Sequence, residues 1–221
     1  MLGVGQDCNF FQQALKNKTS QTSLFRSESD YQTMRSFAPG NSEQHFWGIN
    51  WTYLFIINKQ DMSHTTFPIS EKELRPRVIY QWGDTLWIGN RHGFRWFDTQ
   101  KNKFIRTQGI SDFDEIGSSR VHFFKPNGKN RLWIGTKSGI FLYEREKGII
   151  AKYDNTQKGL FFLPVNNFYH MSEAKAGGYW LASKNGLVWW NPALNLPQTS
   201  EEPPWKYYKD LPATELFAAY E

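Results

Sequence analysis
The chain has 221 residues, 26 Lys and Arg against 21 Asp and Glu, a net charge of +5, and 39% hydrophobic residues. No apolar run nears the roughly 18 residues of a membrane-spanning helix, and one cysteine, Cys8, excludes an internal disulfide or a multi-cysteine metal site. The mild basic excess lacks the dense stripe of a nucleic-acid binder, so no nucleic-acid partner is expected. Aromatic residues make up 17% of the chain, and these favour strands and large buried areas.

In chain order, a first unit over 1–30 is read as three strands, "LGVGQ", "CNFFQQ" and "SLFRS". Its opening residues lack the basic flank and apolar core of a secretory signal. A second unit, 31–70, carries the hairpin "FWGINWTYLFIIN" at Phe46–Asn58, with Tyr53 where a loop glycine is expected. The third, 71–118, holds "LWIGNRHGFRWFD" at Leu86–Asp98. The fourth, 119–164, is the clearest. It runs "RVHFFK", the turn "PNGKN", "RLWIGT", the loop "KS", "GIFLYE" and "IIAKYDN". The fifth, 165–212, holds "YWLASKNGLVWWN" at Tyr179–Asn191, and its Pro-rich "PQTSEEPPW" reads as an extended surface loop. A last piece, 213–221, contains "TELFAAYE", a lone first strand.

Equivalent positions 3, 47, 87, 133 and 180 are separated by 44, 40, 46 and 47 residues. A period in the forties divided into four short strands is the signature of β-propeller blades. The predicted fold is therefore all-β, a single propeller domain of four-stranded antiparallel blades, with four complete blades and partial blades at both ends. Two arrangements of the ends are consistent with this: a five-bladed ring stitched from both termini, or part of a larger propeller, which is the expectation. In a blade packed between neighbours both faces of the central strands are interior. That explains why Leu132, Trp133, Ile134, Ile140, Phe141, Leu142 and Tyr143 do not alternate with polar residues. The repeating Trp47, Trp87, Trp133 and Trp180 are expected to fill the wedges between blades. Gly93, Gly139 and Gly186 are expected to adopt positive φ in two-residue hairpin loops.

The pattern "NRLWIGTKSGIFLYE", with "DTLWIGNRHGFRWFD" and "GGYWLASKNGLVWWN", resembles the two-component regulator propeller repeat. The Gly-His and Trp-Asp dipeptides of WD repeats and the sialidase box are not met. The resemblance implies a non-enzymatic sensor without cofactors, in the periplasmic part of a bacterial hybrid histidine kinase or related receptor. Its partners would be an oligosaccharide or other small ligand and the receptor's own transmembrane, kinase and output domains. A homodimer would form through the full-length receptor.

Chemistry-bearing motifs are sparse. His45, His64, His92, His122 and His170 lack metal-ligand spacing, with His122 and His170 read in first strands. "DFDE" at Asp112–Glu115 lacks a calcium-loop pattern and reads as a solvated loop. One constellation stands out. Loops between second and third strands project to one face, and three successive blades place Arg91, Lys137 and Lys184 there, beside His92, Ser138 and Asn185; the preceding blade offers Trp51. Arg and Lys would bind an anion and the aromatic face would stack on a sugar ring, which suits carboxylated or sulfated sugars. Against this, lysine is common in any exposed loop. The rival readings are a protein-binding scaffold and a propeller-fold carbohydrate-active enzyme.

Overall fold
The computed structural model describes residues 34–69, 75–105, 116, 119–158, 161–193 and 203–209. The strands read in 1–30, "DFDE", most of "PQTSEEPPW", and "TELFAAYE" with its two arrangements lie outside the described residues. The described strands form four four-stranded antiparallel sheets, each following chain order. Blade 1 comprises β1 (Ser36–Pro39), β2 (His45–Ile49), β3 (Tyr53–Asn58) and β4 (His64–Pro68). Blade 2 comprises β5 (Val78–Trp82), β6 (Thr85–Asn90), β7 (Gly93–Asp98) and β8 (Lys103–Ile105). Blade 3 comprises β9 (Val121–Asn127), β10 (Arg131–Thr136), β11 (Gly139–Glu144) and β12 (Gly148–Tyr153). Blade 4 comprises β13 (Phe168–Glu173), β14 (Tyr179–Ser183), β15 (Gly186–Trp190) and β16 (Trp205–Tyr208). These agree with the expected four complete blades, although β9 runs on through Pro126 and Asn127, which were expected in the turn.

The hairpins are set by local chemistry. Thr136 pairs with Gly139 and Ser183 with Gly186, leaving two loop residues each. Gly139 has φ 139° and Gly186 φ 143°, and a Cβ at Gly139 would come within 2.5 Å of the Tyr153 carbonyl oxygen. Glycine is needed there for both backbone and space. Blade 1 manages with Tyr53 because Asn50 closes the loop, its Oδ1 accepting from the amides of Thr52 and Tyr53 at 2.8 and 2.7 Å. Gly135 answers to a different constraint. A Cβ there would lie 1.9 Å from the Phe123 ring of the neighbouring strand, so the small position of the repeat makes room for a first-strand aromatic.

Two compact units are distinguished, Met1–Ile88 with Trp96–Ile105, and Gly89–Arg95 with Arg106–Glu221. In the first, Trp47, Ile49 and Leu54 of blade 1 pack with Ile79, Leu86, Ile88 and Phe97 of blade 2. The Trp47 ring meets Phe97 edge-on at 5.7 Å, and its Nε1–H donates to Gln81 Oε1 at 2.7 Å. The second unit repeats the device. Trp133 and Leu142 of blade 3 pack with Met171, Leu181, Val188 and Trp190 of blade 4. Trp133 meets Trp190 edge-on at 5.3 Å and donates to the Tyr179 hydroxyl at 3.4 Å. Phe97 and Trp190 occupy the same place, four residues after the loop glycine.

The other two tryptophans meet different neighbours. Leu86 and Ile88 face blade 1, so Trp87 points to the opposite face of blade 2, where it is buried between Trp82 and Trp96 of its own blade. Leu181 faces blade 3, so Trp180 also points away from that core. It is only half-buried and rests on Tyr208. Trp180 thus faces the side that Trp133 uses to meet the following blade, and the wedge expected there lies outside the described residues.

Asp154 shapes the crossing from blade 3 to blade 4. It is 1% exposed, and its Oδ1 accepts from the Thr156 amide and hydroxyl at 2.7 and 2.6 Å. Lys152 Nζ lies 2.7 Å from its Oδ2. Burial pushes this carboxyl upward, but the hydrogen bonds from Lys152 and Thr156 outweigh it and hold the group below the usual 3.8. A depressed carboxyl contributes stability above its unfolded value, and that contribution fades as pH falls through the folded one. The melting-temperature gap between wild type and Asp154→Asn is therefore expected to shrink as pH drops from about 5 to about 3. A gap that stays constant would show that Asp154 does not supply this acid sensitivity. Trp133→Ala, which empties the inter-blade contact, should cost about 3–5 kcal/mol in denaturant unfolding. The exposed Lys129→Ala should stay within about 0.5 kcal/mol of wild type.

Candidate functional site
Among the described residues, each loop between second and third strands is held from beneath by one buried polar side chain, at the last position of the second strand in blades 2 to 4 and just after it in blade 1. These are Asn50, Asn90, Thr136 and Ser183, 6%, 1%, 0% and 0% exposed. Asn90 Oδ1 accepts from the His92 amide at 2.7 Å. Thr136 Oγ1 donates to the Gly139 carbonyl at 2.9 Å and accepts from the Ser138 amide at 3.1 Å. Ser183 Oγ donates to the Gly186 carbonyl at 2.7 Å and accepts from the Asn185 amide at 3.2 Å. In the four hairpins this position holds Asn, Asn, Thr and Ser. Its restriction to Asn, Thr and Ser was the available signal, since these side chains bond readily to nearby backbone.

The predicted residues Arg91, His92, Lys137, Lys184 and Asn185 are all exposed in these loops, with Ser138 half-buried. All belong to the second unit, and hydrogen bonds connect their three loops. Gly93 N–H donates to the Ser119 carbonyl at 3.0 Å, and Ser138 Oγ donates to Ser119 Oγ at 2.9 Å. Lys137 N–H donates to the Arg120 carbonyl at 2.9 Å, and Lys184 N–H to the Asn167 carbonyl at 3.2 Å. His122 Nε2 and Asn167 Oδ1 are 3.1 Å apart. That bond joins the first strand of blade 3 to the residue preceding the first strand of blade 4. Asn167 has φ 63°, and its Nδ2 donates to the Tyr169 hydroxyl at 3.1 Å. The Tyr169 ring stands edge-on to His122 at 4.8 Å. No motif in the sequence singles out Asn167 or Tyr169, whereas His122, in a first strand, is open to two readings, a hydrogen-bonded strand residue and, less favoured, a ligand in the channel. Trp51 lies in the other unit. It is 52% exposed, and the Arg35 guanidinium covers one ring face at 4.3 Å.

At the opposite end of the strands, blades 3 and 4 enclose a cleft of about 560 Å³ lined by Asn127, Arg131, Tyr153, Tyr179 and Asn191 among others. Its charged rim is internally paired: Arg131 Nε with Glu144 Oε2 at 2.8 Å, and Lys125 Nζ with Glu173 Oε1 at 3.3 Å. Burial raises the Tyr153 hydroxyl above its usual range, an effect that nearby Arg131 partly offsets. Among the described residues no group of three His, Cys, Asp or Glu side chains could hold a metal ion. No helix among them is long and apolar enough to cross a membrane.

The architecture recurs in solved structures. One is the extracellular domain of a protein assigned as a hybrid two-component system of B. thetaiotaomicron, with a TM-score of 0.59 at 16% identity, covering 76% of this chain and 22% of that one. A second such domain from the same organism has a TM-score of 0.59 at 18% identity, covering 89% and 26%. The sheets are β-propeller blades. A catalytically inactive virginiamycin B lyase from Staphylococcus aureus, bound to quinupristin, also shares the fold, with a TM-score of 0.54 at 12% identity over 86% and 60% of the two chains. This chain thus spans about a quarter of the length of the two extracellular domains, and at these identities the likeness is one of fold. No protein-family model matches the chain, and no curated protein matches it in sequence.

The buried polar step gives a direct prediction. Thr136→Val removes the oxygen that serves Gly139 and Ser138 and should cost about 1–3 kcal/mol, with faster amide exchange at Lys137 and Ser138. Thr136→Ser, which keeps the oxygen, should restore both. Slow exchange in the valine variant would mean that the loop is held by other contacts.

Proposed function
We propose that this chain is the ligand-sensing propeller portion of an extracytoplasmic receptor of the two-component type, acting by binding rather than catalysis. Its ligand is an oligosaccharide carrying carboxylate or sulfate groups, taken up on the hairpin-loop face. The observation that carries the reading is the hydrogen-bonded belt that ties three cationic loops to the first strands of blades 3 and 4. A bonded framework keeps the cations of neighbouring blades at set separations, which is what recognition of a multiply charged chain requires. The anchoring side chains leave the charged heads exposed while fixing the backbone beneath them. Arg supplies a planar fork for an oxyanion and Lys a point charge. The shared fold with extracellular domains of two-component systems supports the receptor setting and the periplasmic placement. In such a receptor the remaining partners are its own membrane, kinase and output domains.

A second reading, a propeller enzyme acting on its ligand, draws on the fold shared with virginiamycin B lyase. Binding without product release separates the two. Charge reversal at both loops, Lys137→Glu with Lys184→Glu, should weaken binding of an acidic oligosaccharide at least about tenfold by calorimetry. The melting temperature should move by no more than about 2 °C, because exposed charges contribute little to stability. Unchanged affinity for every acidic glycan tested would return these lysines to ordinary solvated surface, and release of a shortened glycan would favour the enzyme.

A further inference from the structure
We propose that an oxyanion, a carboxylate or sulfate group, binds at the joint between the blade 2 hairpin loop and the start of β9, held by Asn90 and Arg120. This rests on the loop-face reading above and names the ligand group and the residues that take it. Two residues of this joint each carry a buried hydrogen-bond donor that has no partner. Asn90 is 1% exposed, and while its Oδ1 holds the His92 amide, its Nδ2 is buried with no hydrogen-bond partner. Arg120 Nε is likewise buried and unpartnered. Both residues attach to Gly93: Asn90 stands three positions before it, and Arg120 is bridged to it in parallel fashion.

Buried donors are normally satisfied, and leaving one unmade is costly, most of all on a cation. Holding the loop does not require the spare amide. Thr136 and Ser183 do the same work in blades 3 and 4 with a single hydroxyl. An asparagine at position 90 thus brings an extra N–H₂ that its own loop does not use. A guanidinium fork and a neutral amide donor together match an oxyanion, which offers several lone pairs and a negative charge. The surroundings favour the same sign. Arg91 is next to Asn90 in the loop, and Lys137 donates its amide to the Arg120 carbonyl at 2.9 Å.

The test uses the full chain titrated with sodium sulfate and sodium glucuronate at constant ionic strength, with chloride as the control anion. The Arg120 Nε–H resonance is followed by NMR. It should shift saturably with sulfate or glucuronate and not with chloride. Arg120→Gln should weaken sulfate binding at least about tenfold as read from the backbone amides of Gly93 and Ser119. Asn90→Asp keeps the oxygen that holds the loop, replaces the donor by an acceptor, and should weaken binding similarly. Lys129→Gln should bind as wild type. An Arg120 resonance that does not move, or moves equally with chloride, would overturn the site and assign the two donors to ordered water. Sulfate binding at Arg120 without any acidic-glycan binding would support the site and sink the sugar reading. Glycan binding that is sensitive to Lys137 and Lys184 but indifferent to Arg120→Gln would do the reverse.

Discussion
The contact between a second-strand tryptophan and the third-strand aromatic of the next blade organises everything else. Trp47 on Phe97 and Trp133 on Trp190 are the same contact made twice, edge to face, within separate units. Each tryptophan also hands its indole N–H to a polar group of the neighbouring blade, Gln81 in one case and Tyr179 in the other. A sheet with an apolar face must bury it against another element. Here burial extends to both faces of the middle strands, as in Leu132–Thr136 and Gly139–Tyr143. Large rings serve this purpose because they carry the most area per residue and prefer tilted packing that spans a wedge.

With the middle hairpin anchored on both faces, its loop is left short and stiff. Two residues connect β10 to β11 and β14 to β15, and a buried hydroxyl beneath each loop satisfies the groups the turn exposes. Variation is then confined to the loop residues themselves, which can change without disturbing the core. Arg91, Lys137 and Lys184 sit at such positions. The chemistry proposed for the loop face is therefore carried by residues that the fold itself does not need, on a backbone that the fold determines.

The two ends of the strands in the second unit differ in character. The loop end carries unpaired donors and exposed cations around a belt of backbone bonds. The opposite end carries a cleft with aromatic walls, and its rim charges are already matched by Glu144 and Glu173. A cation paired within the protein has lost much of its pull on an incoming anion. That difference favours the loop end over the cleft for a charged ligand.

What the sequence by itself determined was the blade: its four strands, its turns, its loop glycines and its outward cations. Each depends on neighbours along the chain. Gly139 is legible because a two-residue hairpin demands its backbone geometry, and the turn "PNGKN" because its residues tolerate sharp reversal. The aromatic pattern likewise announced that both faces are buried. Only the tertiary structure decided which partner each residue meets. It rested Trp180 on Tyr208 and Trp51 against Arg35, contacts made with segments outside the repeated hairpin. It also brought Asn167 to His122, 45 positions apart, and left Asn90 and Arg120 with donors facing no acceptor. Periodicity records what a strand needs from its own hairpin. Contacts between blades are made by residues a full repeat apart, and their pairing exists only once the sheets have packed.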